Sequence, residues 1–326
     1  SITHCQNAIE CYKKAKNNAK IKELEIKYRN LKDSLRLESI EYKIDQTEHI
    51  EKCIQFSEEL VSKNSPDNII GYLALHKDLL PTYKDMDEQA EQQSKNHPIL
   101  DIFPTIILDQ NAHPAQMIST ENVKFYKILQ HYKMHLEISK LPLINYLLIE
   151  SIKQKKLSPQ LMLNFLQKYS WLSITQSKPL PNGEIFEYNW LNLLAPAINE
   201  YFLQMNYFLH SKNYSNFVLA IDSLTLKIEG ILRDYCNNVG IVTFFQRTDK
   251  NGTKVQEKDI NALLHEPELA DHFSNDDILL FKFILVEKTG YNLRHKVAHS
   301  LMSYADYDIS IIHILILILL RLSKIQ

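Results

Sequence analysis

The sequence predicts an all-α fold, and three observations carry that reading. Glycine is scarce, 6 residues in 326, whereas turn-rich β folds and phosphate-cradling loops use more of it. Apolar residues recur every three to four positions through most of the chain, the period of a helix buried on one face. The stretches that depart from this period, 97–120, 173–189 and 240–275, are short and read as connectors between helical blocks.

Residues 4–19 and 21–43 read as two helices joined at Asn17-Asn18, a hairpin of the repeat type with no second copy elsewhere. A third helix covers 46–63 and stops before Pro66, and a short one covers 67–78. In the first connector the run 105–109 is a short strand or an extended linker before Gln110-Asn111. Helices resume at 121–139, 141–153 and 158–168. The second connector, with Asn182-Gly183 and the aromatic cluster Phe186 to Trp190, suggests a hairpin. Helices then follow at 196–210, 214–238, 276–288, 292–304 and 307–324, interrupted by a polar connector with a turn at Asp249-Lys250-Asn251-Gly252. These shifts divide the chain into a helical amino-terminal region (1–96), a mixed connector and helical middle region (97–190), and a helical bundle (191–326).

Composition narrows the function. Hydrophobic residues make up 45% and charged residues 23%, which excludes wholesale disorder. The net charge is −2, from 37 Lys+Arg against 39 Asp+Glu, so any nucleic-acid site has to be a local patch. The 4 cysteines show no CxxC or zinc-type spacing. Free thiols in a reducing, cytoplasmic setting are expected. The chain starts Ser-Ile-Thr-His, with no Met and no leader pattern, which fits processing or trimming from a longer protein. The run from Ile309 to Leu322 is short for a span, since crossing a bilayer takes about 20 apolar residues. It reads as a buried central helix, and no stable membrane insertion is expected.

The string Thr289 to Met302 carries the chemistry. Gly290 breaks a helix, Asn292 is a natural N-cap, and Leu293, Val297 and Leu301 form a core stripe. At 100° per residue, His295 and His299 lie about 200° and 240° from Leu293 and so stack on one outward face. Arg294 lies nearer the core edge and must extend to share a site with His299. A helix start, an arginine fork for phosphate and an imidazole that titrates near neutrality together suit RNA backbone cleavage by the ribose 2′-hydroxyl.

Arg294-x4-His299 within Asn292-Leu293-Arg294-His295-Lys296-Val297-Ala298-His299-Ser300-Leu301 resembles the signature of HEPN-domain ribonucleases. The wider stretch looks like the DUF4209 branch, with His295 in place of the usual Asn and Ser300 in place of Gly. Residues 223–240 resemble that family's first domain helix, 259–269 its central segment, and 97–109 a segment ahead of the domain. The resemblance implies a HEPN-like helical bundle at the carboxyl end and a homodimer whose Arg/His sets share a cleft. It further implies a metal-independent endoribonuclease used as a toxin or in antiviral defence. Arg294 and His299 would be catalytic and Asn292 and His295 supporting. Lys296 and Arg247 are candidate RNA contacts. No cofactor is expected, and the amino-terminal helices are expected to meet a regulatory protein.

Blander readings stand beside these. The alternative to the nuclease is an inactive helical scaffold that serves dimerisation. His295 and His299 also have the i, i+4 spacing of metal ligands, but no Glu follows His295. His131 and His135 read as surface histidines. Asp276-Asp277 reads as an N-cap, and Glu229 with Arg233 as an ion pair along one helix. Arg247, Lys250, Lys254 and Lys258 read as a solvated loop. Phe244 and Phe245, with Trp171, Tyr188 and Trp190, read as packing residues.

Overall fold

The computed structural model describes residues 2–33, 44–102, 105–108, 114–180, 182–210, 215–249 and 252–324. The fold is all-α with three two-stranded antiparallel ribbons added. It forms two compact units, 1–45 with 104–118, and 46–103 with 119–326. The compositional breaks near 96 and 190 mark the end of one helix and the start of another inside the larger unit.

In the smaller unit, α1 (Ile2–Lys14) and α2 (Asn18–Asp33) make the expected hairpin. Asn17 Oδ1 accepts from the Lys20 amide at 3.1 Å and so starts α2. The expected continuation of α2 over 34–43 lies outside the described residues. β1 (Thr105–Leu108) pairs with β2 (Pro114–Ile118), so the 105–109 run is a strand as far as Leu108. Asp109, Gln110 and Asn111 lie outside the described residues.

The larger unit opens with α3 (Thr47–Lys63), α4 (Pro66–Leu75) and α5 (Tyr83–Asn96). The hydroxyls of Ser65 and Thr82 cap α4 and α5. α5 escapes a reading by apolar period because it buries little beyond Met86 and Ala90. α6 (Val123–His135) runs through a π turn (Leu136–Lys140) into α7 (Leu141–Lys153), and α8 (Pro159–Tyr169) follows. His131 and His135 are not simple surface groups. They meet Gln93 Oε1 at 3.0 Å and Gln89 Oε1 at 3.1 Å and tie α6 to α5. The ribbon of β3 (Gln176–Pro179) and β4 (Ile185–Tyr188) is the expected hairpin.

α9 (Trp190–His210) begins six residues before the expected start, with Pro196 inside it. Trp190 and Leu194 are buried and anchor the turn ahead of the proline. Trp190 lies so close to α10 (Val218–Asn238) that a Cβ on Gly230 would meet its ring at 2.6 Å. β5 (Phe244–Asp249) and β6 (Gly252–Glu257) form a ribbon in which Phe244 is exposed rather than packed and Phe245 lies partly covered under Lys258 Nζ, 5.4 Å from the ring centroid. α11 (Ile260–Leu264) and α12 (Asn275–Leu285) follow, then α13 (Leu293–Ala298) and α14 (Ile309–Leu322). Ser274 caps α12, freeing the two acidic residues expected there for other partners. Asp276 accepts from the Tyr83 amide at 2.6 Å, and Asp277 pairs with Arg321 at 2.6 Å.

α14 is the hub. It packs on α4, α7, α10 and α12. Every residue from Ile311 to Leu322 is buried, as an all-round apolar helix requires. Among the described residues no helix is long and apolar enough to cross a membrane. Two polar groups interrupt this core. Arg321 spans from Asp277 to the His76 carbonyl at 2.6 Å. His313 is fully buried, and its Nδ1 meets Asn145 Oδ1 at 2.8 Å. Asn145 donates through Nδ2 to Ser310, which fixes Oδ1 as the acceptor and His313 Nδ1 as the donor. Among the described residues His313 Nε2 has no partner, and burial drives the imidazole pKa down to about 3.

A histidine whose folded pKa lies below its unfolded value stabilises the fold above the unfolded pKa, and that stability fades as pH falls. Between pH 6.5 and 5 the wild type is therefore expected to lose about 2 kcal/mol through His313 alone. Urea unfolding at both pH values checks this, and His313→Gln should show a loss smaller by that amount.

Candidate functional site

The site is built at the junction of α10, α12 and α13. After α12 ends, the chain doubles back on it, and Tyr291 N donates to Phe283 O at 3.0 Å. A Cβ on Gly290 would stand 2.0 Å from that same carbonyl oxygen, so only glycine permits the approach. Tyr291 OH then donates to Glu137 Oε1 at 3.0 Å and pins the turn to the π segment.

Asn292 precedes α13 but does not cap it with its side chain, because its backbone is left-handed (φ 49°). α13 is 6 residues long, not the expected 292–304. The amides of Ser300 and Leu301 return to the carbonyls of Val297 and Lys296 at 3.2 and 2.8 Å, closing the helix with Ser300 left-handed (φ 53°). Leu301 consequently leaves the core stripe and is 45% exposed, against 2% for Leu293. So short a helix sums few peptide dipoles, and the anion site expected at its start is not built.

Charge is instead organised by Glu229 of α10, which is 8% exposed. Its Oε1 accepts from Arg233 at 2.7 Å, the ion pair along the helix that the spacing predicts. Its Oε2 accepts from Arg294 Nε at 2.7 Å. Arg233 also donates to the Lys258 carbonyl at 2.9 Å. One buried carboxylate therefore fixes two guanidinium groups. Arg294 remains about one-third exposed, and among the described residues no other acceptor meets its side chain.

Arg294, His295 and Asn292 line one recess of about 220 Å³ together with Asp259, Asn261 and Lys288, over a floor of Ile260, Leu285 and Val286. His299, exposed at the end of α13, joins this group through His295, with ring centroids 4.5 Å apart. Desolvation, then the neighbouring His299, Lys288 and Arg294, hold the His295 pKa below the ordinary imidazole value. Among the described residues no three His, Cys, Asp or Glu side chains gather as a metal set.

The other candidates lie apart. Hydrogen bonds from Ser303 hold the Asp306 carboxyl below its usual range, and the charge of half-exposed Lys296 adds a smaller effect. Arg247 belongs to the β5–β6 ribbon, directly opposite Lys254. Lys258 is buried rather than solvated, donating to Val242 O at 2.6 Å and pairing with Glu266 at 2.8 Å. Lys250 lies outside the described residues. A larger hollow of about 880 Å³ sits among Trp171, Tyr235, Asp271, His272 and Lys324. It contains no arginine, and its lysine is spent on the His272 carbonyl. We therefore place the candidate site at the smaller recess.

Two stability measurements check this geometry. Glu229→Ala leaves Arg294 without a counter-charge and Arg233 with Glu257 alone, at 3.7 Å. Both guanidinium groups are partly exposed, so it should cost about 2 kcal/mol in urea unfolding. Ser300→Gly relieves a left-handed serine and should add about 1 kcal/mol. Comparison of the chain with protein-family models, curated proteins and solved structures yields no match.

Proposed function

We propose that the chain is a metal-independent endoribonuclease acting through Arg294 and the His295–His299 pair. The observation that carries this reading is the Arg294 guanidinium, held through Nε by a buried carboxylate in the same recess as His295. In the proposed reaction the ribose 2′-oxygen attacks the adjacent phosphorus and its proton passes to a neutral imidazole. The phosphorus–O5′ bond breaks, and the leaving oxygen takes a proton from an imidazolium. The products are a 2′,3′-cyclic phosphate and a 5′-hydroxyl. Arg294 offsets the charge that builds on the phosphorane. His299, open to solvent, exchanges protons, and His295 supports it by ring contact. A homodimer sharing the cleft, a toxin or defence role, a cytoplasmic setting and a regulatory partner for the amino-terminal helices belong to the same proposal and come with the HEPN resemblance. For the dimer, α10 offers Leu219 and Leu226, 68% and 48% exposed on one face.

A second reading has its own observation. The Arg294–Glu229 bond ties α13 to α10 and is complete as a structural contact. On that reading the bundle is an inactive scaffold for association.

The experiment is RNA cleavage in EDTA by wild type, Arg294→Ala and His299→Ala. Each variant should lose at least roughly 100-fold in rate. Equal cleavage by all three proteins would move the site elsewhere, loss of cleavage on chelation would favour a histidine-bound metal, and an inert wild type would favour the scaffold.

A further inference from the structure

We infer that the recess beside Arg294 is a nucleobase pocket that selects the base next to the cut, with Asp259 and Asn261 reading its edge. The inference rests on the ribonuclease reading for its ligand class. Size is the first argument. Drug-sized ligands occupy roughly 300–1,000 Å³, whereas this recess measures about 220 Å³. That is space for one flat ring system.

Its chemistry is the second argument. Ile260 and Leu285 are buried and Val286 half-buried, an aliphatic floor for the face of a ring. The His295 imidazole lines the same space and offers a plane for stacking. Polar groups stand at the edge. Asp259 Oδ1 accepts from the Ala262 amide at 2.8 Å and caps α11. Its second oxygen has no protein partner among the described residues. The side-chain amides of Asn261 and Asn292, both lining the recess, likewise meet no protein group among the described residues. Single-stranded RNA is read in this manner, by splayed bases whose edges meet side-chain donors and acceptors.

A carboxylate only accepts hydrogen bonds. It therefore favours the base edge richest in adjacent N–H groups. Guanine presents a ring N–H beside an amino group, while uracil presents one N–H between two carbonyls. Guanine is expected to bind best and uracil worst. Arg294 and Lys288, on the same recess, suit the phosphate joined to that nucleoside.

The test titrates the full chain with the 3′-monophosphates of guanosine, adenosine, cytidine and uridine by calorimetry. Guanosine 3′-monophosphate should bind at least roughly tenfold tighter than the uridine compound. Asp259→Asn keeps the cap, because Asn caps as well as Asp, but adds donors where an acceptor is required. It should erase the guanine preference, and Asn261→Ala should reduce it. Arg294→Ala should weaken all four nucleotides alike. Four equal affinities, no binding at all, or a preference untouched in Asp259→Asn would each overturn the pocket. Base-selective binding by a protein that cleaves no RNA would support the pocket while the nuclease reading fails, so the two outcomes are separable.

Discussion

Glu229 is the constraint on which the site depends. A buried carboxylate is costly unless it is paired, and this one is paired twice, with Arg233 along its own helix and Arg294 from α13. The arrangement fixes the guanidinium of a short helix that has few other anchors. α13 contributes one fully buried residue, Leu293, and is shaped by the turn at Gly290 and the left-handed serine at its end. Without the Glu229 bond, Arg294 would be a flexible side chain at the surface. With it, the guanidinium is held beside the recess, where on the proposed reading a developing negative charge would be stabilised without prior reorganisation.

The rest of the larger unit serves to hold α10 in place. α14 provides the centre, an apolar helix apart from Ser310, His313 and Arg321. Arg321 ties the start of α12 to the end of α4, and Asp276 of α12 caps α5. The helices before 103 and after 119 are thus bound into one core by buried polar contacts as well as by apolar packing. α12, which leads directly to the recess, is fixed at both ends, by Arg321 at its start and by the Phe283 turn at its close.

How much was legible follows from the kind of signal each element carries. α3, α7, α8 and α14 announce themselves by apolar period, and α8 and α14 also by Ser158-Pro159 and Asp308 at their starts. α5 does not, since it is polar nearly all round and is held by His131, His135 and the capping carboxylate of a distant helix. His295 and His299 were legible as neighbours from their i, i+4 spacing, whereas Arg294, nearer the core edge, was singled out by the Arg-x4-His resemblance. The length of α13 was not. Ser300 gives no glycine signal at the position where the chain turns left-handed, so the apolar stripe reads through to Leu301. Glu229 was legible as a partner of Arg233, four residues on. Its bond to Arg294 crosses 65 residues of sequence and is visible only in the fold. Asp259 and Asn261 carried no signal, as an N-cap and its neighbour look alike in any helix.

The most direct measurement is the cleavage rate of Arg294→Lys in EDTA, with the end groups of any product identified by mass spectrometry. Lysine keeps the charge but has no Nε–H to bind Glu229 while terminal nitrogens face a phosphate. The account predicts a folded protein that makes little or no cyclic phosphate, beside a wild type that does. A lysine variant cutting RNA at the wild-type rate would contradict it.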